Sequence, residues 1–293
     1  MHRVDPKDLH EWCKMPVDDL GRYRTRIPYL IVADSAAMGD LMAREFVDDI
    51  KRANREDRTF RVIVPCGPKS WYAPFTRMIN AERVSLRNVT VFHMDECLDW
   101  QGNLLPERHP CNFRAFMETH FYEGIDPELA VPLDQRYFPM PSNATDIMRA
   151  IDAAPIDLTI GGFGQDGHVA YNQAPRHPYL SLSLDDLRTS RLRIQENNTD
   201  TIIALAHRNF GGAYQFVPPM SITLGLHECL SAREVRLYSD TGAWKQTAFR
   251  VALFSDEVVE YPITLLQSHP NARITVSRDT ADHPIASEGW DLL

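Results

Sequence analysis

A glycine-rich stretch of the chain places two titratable side chains two positions apart. Residues 157–173 read DLTIGGFGQDGHVAYNQ, with four glycines within seven positions and with Asp166 and His168 at their end. A histidine beside a carboxylate is the usual acid–base pair near neutral pH, so we predict that these two side chains act on one bound molecule. The alternative is a glycine-rich surface turn, and the spacing does not match the GxGxxG dinucleotide fingerprint. The glycines that we expect to bring backbone close to the ligand are Gly162, Gly164 and Gly167.

Two adjacent carboxylates, Asp95 and Glu96, end another apolar run. They lie in residues 92–100, FHMDECLDW. Neighbouring side chains of an extended chain point to opposite sides, so one carboxylate can face a pocket as a base while the other orients a loop. We expect Asp95 in the catalytic group and Glu96 in substrate binding. The alternative is an ordinary polar loop after a strand.

Three cationic side chains follow predicted strands or begin a predicted helix. Lys69 follows residues 60–66, Arg208 follows residues 201–207, and Lys245 lies near the start of a helical pattern. The free N–H groups of a helix N-terminus bind phosphate, and a lysine adds a point charge. Each cation alone is compatible with a solvated surface charge. Together, in a chain with a net charge of −9, they predict a phosphate pocket.

The hydrophobic pattern predicts a scaffold in which strand ends bring these side chains together. The predicted strands are residues 28–33, 60–66, 89–94, 156–162, 201–207, 234–239 and 272–278. The predicted helices lie within residues 36–53, 112–122 and 241–254. This alternation favours an α/β fold with a mostly parallel sheet and helices on both faces. Ligands of such sheets bind beyond the carboxyl ends of the strands, near a topological switch point.

Composition limits the class of protein. The acidic net charge of −9 argues against nucleic acid as a partner, and no apolar run approaches the roughly 18 residues that a membrane span needs. The charged start of the chain lacks the apolar core of a signal peptide. The five cysteines form no CxxC pair, so neither a disulfide framework nor a metal site is predicted. We expect a cytoplasmic protein without membrane contact.

The sequence predicts one boundary, between an N-terminal arm and a single domain. The first 25 residues are polar and precede the first predicted strand, so we expect an appended N-terminal arm there. Residues 26–293 are predicted to form a single α/β domain, because the alternation of strands and helices resumes after the proline-rich residues 132–142. Those residues are interpreted as a connecting loop.

Four segments together resemble the glucosamine-6-phosphate deaminase/isomerase family, from about residue 28 to residue 280 and in the same order. Residues 92–100 are similar to the family's strand that ends in MDE, and residues 157–173 resemble its GG-x-G-x-DGH-x-A-F-N-E signature. Residues 217–225, VPPMSITLG, resemble its V-P-x-x-(A/S)-(L/I)-T-x-G turn. Residues 234–245 resemble its strand followed by G-x-x-K.

The resemblance implies a modified Rossmann-like fold shared with ribose-5-phosphate isomerases and CoA transferases. It implies that Asp95 moves a proton between C1 and C2 of an open-chain phosphorylated amino sugar. His168, supported by Asp166, is implied to open the pyranose ring by giving a proton to the ring oxygen. It implies neither metal nor organic cofactor, and because members are often trimeric or hexameric we expect a homo-oligomer. The groups implied to hold the 6-phosphate are Lys245, Arg208 and the backbone around Gly67 to Ser70, which includes Lys69.

The sequence departs from the family at two places that bear on chemistry. Gln173, which we include in the expected catalytic group, stands where the family signature ends in glutamate. A glutamine can hydrogen-bond the imidazole, but it cannot hold a negative charge against an imidazolium. Residues 66–72, CGPKSWY, replace the family's T-G-G-T-P loop and bring in Lys69. We therefore keep three alternatives open: a changed substrate, a 6-phosphogluconolactonase-like hydrolase, and a protein that only binds a sugar phosphate. A third departure follows Gln173: residues 174–187, APRHPYLSLSLDDL, lack the paired serines linked to allosteric activation in some members, so we do not expect that regulation.

Overall fold

A seven-stranded parallel sheet forms the centre of the fold. The computed structural model describes residues 3–177 and 179–292. The sheet strands in chain order are β1 Tyr29–Val32, β2 Phe60–Val64, β3 Val89–His93, β5 Arg136–Tyr137, β6 Leu158–Gly161, β9 Glu234–Ser239 and β10 Ala272–Ser277. Their spatial order is β1-β10-β9-β6-β2-β3-β5, and every neighbouring pair is parallel. The predicted α/β class with a mostly parallel sheet is confirmed.

Helices cover both faces of this sheet. The longer ones are α1 Pro6–Lys14, α2 Ser35–Arg55, α3 Tyr72–Ala81, α5 Ala144–Asp152, α7 Thr199–Asn209 and α9 Gln246–Phe254. The shorter ones are α4 Phe113–Met117, α6 Leu184–Arg188, α8 Leu226–Leu230, α10 Arg278–Ala281 and α11 Pro284–Ser287. Within the residues described, no helix combines the length and the apolar character needed to cross a bilayer.

Alternate residues of the strands enter two separate hydrophobic clusters. Val62 and Val64 of β2 pack with α2 and α3 on one face, whereas Ile63 between them packs with α5 and α9 on the other. A sheet that is buried on both faces needs apolar side chains at successive positions. This explains why the strands read as continuous apolar runs rather than as alternating patterns.

A second, smaller sheet is antiparallel and was not predicted. It consists of β4 Asp95–Leu98, β8 Met220–Thr223 and β7 Arg193–Glu196, in the order β4-β8-β7. The chain leaves β3 at His93 and enters β4 two residues later, so this sheet begins beside the carboxyl edge of the large one. In the pairing of β4 with β8, Asp95 lies opposite Thr223.

The predicted strand at residues 201–207 is wrong, because these residues lie within helix α7 Thr199–Asn209. Thr201 and Ala204 are buried while Ile203 is exposed, which is a helical period and not the alternation of a strand. The other six predicted strands are confirmed to within two residues at each end. The predicted helices correspond to α2, α4 and α9, and α4 continues as a π-helical turn over Glu118–Tyr122.

The N-terminal segment, predicted to be an appended arm, packs on the sheet domain. Helix α1 lies against α9 and α11, Cys13 is buried, and Leu20 belongs to the same hydrophobic cluster as the sheet residue Ile274. The buried guanidinium of Arg250 in α9 donates to the carbonyl oxygen of Met15 at 3.0 Å. Residues 3–25 therefore contribute to the hydrophobic core. The proline-rich residues 132–142 include a 3-10 turn, Leu133–Gln135, and the short edge strand β5.

Candidate active site

A cleft of about 580 Å³ opens at the carboxyl edge of the parallel sheet. It lies where loops follow β1, β2, β6 and β9, on both sides of the point where the strand order reverses between β2 and β6. A cleft thus lies at the topological switch point, where the ligand is predicted to bind. The predicted site residues that line it are Gly67, Lys69, Ser70, Asp95, Gly162, His168, Arg208 and Lys245.

The two adjacent carboxylates face opposite sides of β4, as an extended chain requires. Asp95 lines the cleft. Glu96 is buried and accepts hydrogen bonds from the backbone N–H groups of Phe113 at 2.8 Å and Arg114 at 2.7 Å. These are free N–H groups at the start of α4, so Glu96 caps that helix. The prediction that Glu96 binds substrate is not supported by its position, because its carboxylate is committed to the first N–H groups of α4.

The carboxyl group of Asp95 has a pKa raised from 3.8 to about 7. Removal from water is the main cause, and the adjacent charge of Glu96 adds to it, while His168 acts in the opposite direction. A carboxyl group with a pKa near neutrality both accepts and returns a proton at physiological pH. Asp95 has the properties of a general base.

Asp166 and His168 form a hydrogen-bonded pair at the carboxyl end of β6. Nδ1 of His168 lies 2.6 Å from Oδ1 of Asp166. Burial alone raises the pKa of Asp166, but the imidazole and its hydrogen bonds outweigh burial and lower it to about 2. Asp166 is buried behind the histidine, whereas His168 lines the cleft and stacks on the ring of Tyr171 at a centroid distance of 5.6 Å.

Glycine is required at two positions of this loop by close approach. A Cβ atom on Gly164 would lie 2.1 Å from Cε1 of His168, so the imidazole rests directly on this residue. A Cβ atom on Gly162 would lie 2.9 Å from the carbonyl oxygen of Gly67, where the loops after β6 and β2 meet. Of the three glycines predicted to approach the ligand, only Gly162 lines the cleft among the residues described. Gly164 supports the histidine, and Gly167 faces Ile263 and Tyr261.

Gln173 lies behind the acid–base pair and is buried. Its side-chain amide contacts Asp166, His168 and Thr201. Gln173, which we expect in the catalytic group, does not line the cleft and contacts the acid–base pair from behind it. The residue that departs from the family signature is therefore in contact with the catalytic group that the sequence predicted.

Two cations face the cleft from different elements. Lys245 immediately precedes α9, and Arg208 lies in the last turn of α7. Burial and the nearby Arg208 lower the pKa of Lys245 to about 8, against the opposing influence of Asp240 and Asp166. Two cations this close, one of them desolvated, favour a bound anion that neutralises both. The sequence predicts that Arg208 follows the end of a strand. The structure instead places it in the last turn of helix α7.

The loop after β2 supplies a third cation and a hydroxyl group. The ammonium group of Lys69 lies 4.2 Å from the centroid of the Phe116 ring. The Oγ atom of Ser70 is buried without a hydrogen-bond partner among the described residues. Buried polar atoms are normally paired, so this hydroxyl is available to a ligand.

Some polar residues of the cleft were missed by the sequence reasoning. Ser35, at the first position of α2, lines the cleft and donates to Asp240 at 2.7 Å, and Thr241 follows Asp240. Ser35 and Thr241 come soon after strands β1 and β9. This position at a strand end is the feature of the sequence that could have identified them. Neither has a side chain that is distinctive by type.

Comparison with known proteins places the chain among sugar-phosphate enzymes. No family model matches. It is 30% identical to glucosamine-6-phosphate deaminase 2 of Mus musculus over 264 residues, which cover 85% of this chain and 87% of the relative. It is 31% identical to glucosamine-6-phosphate deaminase of Caenorhabditis elegans over 256 residues, with 85% and 90% covered. It is 33% identical to that of Porphyromonas gingivalis over 229 residues, with 75% and 79% covered.

Solved structures confirm the fold. A monomeric glucosamine-6-phosphate deaminase, described as a missing link of the NagB superfamily, superposes with a TM-score of 0.73 at 21% identity, with 87% of this chain and 99% of that chain covered. A 6-phosphogluconolactonase from Thermotoga maritima superposes with a TM-score of 0.59 at 12% identity, with 86% and 99% covered. This chain therefore shares its fold with both enzyme groups. Its sequence similarity to the curated deaminases covers most of their length. The chain belongs to the glucosamine-6-phosphate deaminase family.

Proposed function

We propose that this chain converts a phosphorylated amino sugar, glucosamine 6-phosphate or a close analogue, into a ketose phosphate and ammonia. The observation that carries the proposal is Asp95, whose carboxyl group has a pKa of about 7 and lines the same cleft as His168, Arg208 and Lys245. Moving a proton between two carbons needs one carboxylate that accepts and returns it. Ester hydrolysis does not need such a group, so Asp95 favours the deaminase over the lactonase.

The phosphate of the substrate is proposed to bind Arg208 and Lys245, with Lys69 and Ser70 as further donors. Charge-assisted hydrogen bonds to a phosphate are among the strong ones. Binding at this end, away from the reacting carbons, fixes the orientation of the sugar relative to Asp95 and His168. No metal or organic cofactor is part of this proposal.

The ring is proposed to open at His168. As the C1–O5 bond breaks, the imidazole takes the proton of the C1 hydroxyl and gives a proton to the ring oxygen, and Asp166 stabilises the charge that the imidazole carries during this exchange. Asp95 then removes the proton from C2 of the open-chain sugar while the carbonyl oxygen at C1 takes a proton from the substrate's ammonium group, which gives an enolamine. Asp95 returns its proton to C1 of the enolamine. The product is an iminium at C2, to which water adds and from which ammonia leaves.

Ammonia release from glucosamine 6-phosphate tests the proposal. We expect equal amounts of ammonia and fructose 6-phosphate, and no reaction with glucosamine, which lacks the phosphate. The absence of ammonia at high enzyme concentration contradicts the proposal. Hydrolysis of 6-phosphogluconolactone above its spontaneous rate would support the lactonase instead, and a thermal shift with sugar phosphates without turnover would support a binding protein. We also propose a cytoplasmic setting for this activity.

A further inference from the structure

Arg250 of α9 has a guanidinium group that is completely buried. Its Nη2 donates to the carbonyl oxygens of Met15 at 3.0 Å and Ala281 at 2.8 Å. Among the residues described, its Nε and Nη1 have no hydrogen-bond partner and no carboxylate forms an ion pair with it. Burial lowers its pKa to about 10, so the group stays charged at neutral pH. Burying a charge that no opposite charge neutralises costs stability, so a gain in stability does not explain this arginine.

The two carbonyl groups that Arg250 joins come from opposite ends of the chain. Met15 follows α1 in the N-terminal segment, and Ala281 ends α10. The N-terminal segment lies outside the part of the sequence that resembles the deaminase family. It packs on α9 through α1, and directly after it the N–H of Arg26 donates to the carbonyl oxygen of Leu253 at 2.8 Å. This end of the chain therefore holds α9 both at its middle and near its last turn.

The residues on either side of Lys245 are bonded to the segment that follows β10. The N–H of Gly242 donates to Oγ1 of Thr280 at 2.9 Å. Oγ1 of Thr247 lies 3.1 Å from Nε2 of His283. These contacts flank Lys245 along the chain, so its backbone is held from the same side on which Arg250 reaches α10.

The position of the Lys245 ammonium group depends on this backbone, because little else holds the side chain. Among the described residues Lys245 forms no ion pair, and its Nζ lies 5.4 Å from the centroid of the Phe163 ring. The carbonyl oxygen of Lys245 accepts the N–H of Phe249 at 3.0 Å, which joins it to the first turns of α9. Arg250 is the residue after Phe249. Breaking the bonds of Arg250 is therefore expected to displace the backbone that carries Lys245.

We propose that Arg250 is a positioning residue for Lys245, and that the N-terminal segment supports the anion site through it. The guanidinium group joins the carbonyl oxygens of Met15 and Ala281, and so fixes α9 between the two ends of the chain with Lys245 directed into the cleft. The role of Lys245 in holding a phosphate rests on the proposed function, whereas the placement of its side chain by Arg250 does not.

The charges around Lys245 make its titration a measure of position. Arg208, Asp240 and Asp166 influence its pKa, together with burial, and Arg250 is not among these groups. Loss of the Arg250 charge by itself therefore leaves the titration of Lys245 unchanged. A shift in a variant of Arg250 means that the ammonium group has moved relative to water or to its charged neighbours.

Carbon-13 NMR of the lysine side chains, without substrate, tests the proposal. Arg250→Met removes both hydrogen bonds and keeps an unbranched apolar side chain. We expect Lys245, assigned with Lys245→Met, to titrate at about pH 8 in the wild type and about one pH unit or more higher in Arg250→Met, because a displaced ammonium group regains water. An unchanged titration in Arg250→Met overturns the proposal.

Arg61→Met is the matched control. The guanidinium of Arg61 also donates to backbone carbonyl oxygens, those of Ile151 at 3.4 Å and Pro155 at 3.3 Å, but at the amino end of β2, away from the cleft. This variant is expected to leave the titration of Lys245 unchanged even where its melting temperature falls as far as that of Arg250→Met. An equal shift in both variants means general loosening and contradicts the positioning role.

Arg250→Gln covers the case in which Arg250→Met does not fold. Its amide keeps one donating nitrogen, and its shorter side chain reaches at most one of the two carbonyl oxygens. The Lys245 titration is expected to shift in the same direction by a smaller amount. A folded Arg250→Gln protein in which Lys245 titrates as in the wild type overturns the proposal.

Kinetics with glucosamine 6-phosphate separate this role from a role in proton transfer. In Arg250→Met we expect KM to rise by about 10-fold, the cost of one weakened charge-assisted hydrogen bond, with a much smaller change in kcat. A fall in kcat at unchanged KM contradicts the proposal. If neither the wild type nor any variant releases ammonia, the proposed substrate is wrong, and the titration of Lys245 still decides the role of Arg250.

Discussion

The imidazole of His168 rests on Gly164, and this contact explains a glycine that does not line the cleft. A Cβ atom on Gly164 would lie 2.1 Å from Cε1 of His168 and 2.2 Å from Nδ1. The atoms that would clash with this Cβ atom belong to the side chain of His168 and not to the backbone. A methyl group at this position therefore displaces the imidazole from Asp166 before it disturbs the fold.

Gly164→Ala is expected to lower kcat/KM by about 100- to 10,000-fold, the range lost when a general acid–base group is misplaced. The melting temperature is expected to change little, because the displaced ring can move into the cleft. The matched control is Gly21→Ala, where the nearest atom to a Cβ is 3.9 Å away. The measurement is steady-state kinetics together with thermal unfolding, and near-normal activity in Gly164→Ala contradicts the geometry.

At the residue scale the sequence predicted the positions of the candidate side chains better than the supporting contacts. Asp95 and His168 follow apolar strands, and both line the cleft at the carboxyl edge of the sheet. The capping role of Glu96 was not predictable in the same way, because its partners Phe113 and Arg114 lie 17 and 18 residues later in the chain. Such a contact depends on how the intervening loop folds.

At the element scale, α7 shows why a strand was predicted where a helix lies. Residues 201–207, TIIALAH, form a short apolar run, and such a run has no period that distinguishes a strand from a buried helix.

The antiparallel sheet was missed for another reason. Its strands have four residues each, and Asp95 pairs with Thr223 across more than a hundred residues of chain.

Because Arg208 at the end of α7 lies near Lys245, its charge is expected to influence the pH at which Lys245 loses its proton. In the wild type, substrate affinity is expected to fall as the pH rises through about 8, because Lys245 loses its proton there. Replacing Arg208 by Gln removes a like charge, so this loss is expected to move to higher pH. At pH 7 the KM is expected to rise about 10-fold or more, the cost of one charge-assisted hydrogen bond.

The pH dependence of KM from pH 6.5 to 9.5 measures both effects. Arg149→Gln is the matched control, because Arg149 is exposed on α5 and pairs only with Asp146 among the described residues. It is expected to leave KM unchanged at every pH. If Arg208→Gln behaves like this control, Arg208 does not share an anion site with Lys245.

At the scale of the whole molecule, the sheet order brings residues from distant parts of the chain to one edge. Loops after β1, β2, β6 and β9 meet in a single cleft, and this convergence follows from the parallel topology that the alternation of strands and helices predicted. The role of the N-terminal segment did not follow from its polar composition, because only a few residues, among them Cys13 and Leu20, bury their side chains. The homo-oligomer stays a prediction, and one structural neighbour is a deaminase described as monomeric.

The pH profile of kcat/KM for Asp95→Asn, compared with the wild type, tests the central claim that Asp95 transfers the proton between C2 and C1. The wild type is expected to lose activity as the pH falls through about 7, because Asp95 takes up a proton there and no longer acts as a base. Asp95→Asn is expected to be slower by about 100-fold or more, to retain substrate binding, and to lack this acidic limb. A variant that forms fructose 6-phosphate at the wild-type rate, with the same acidic limb, would contradict the account.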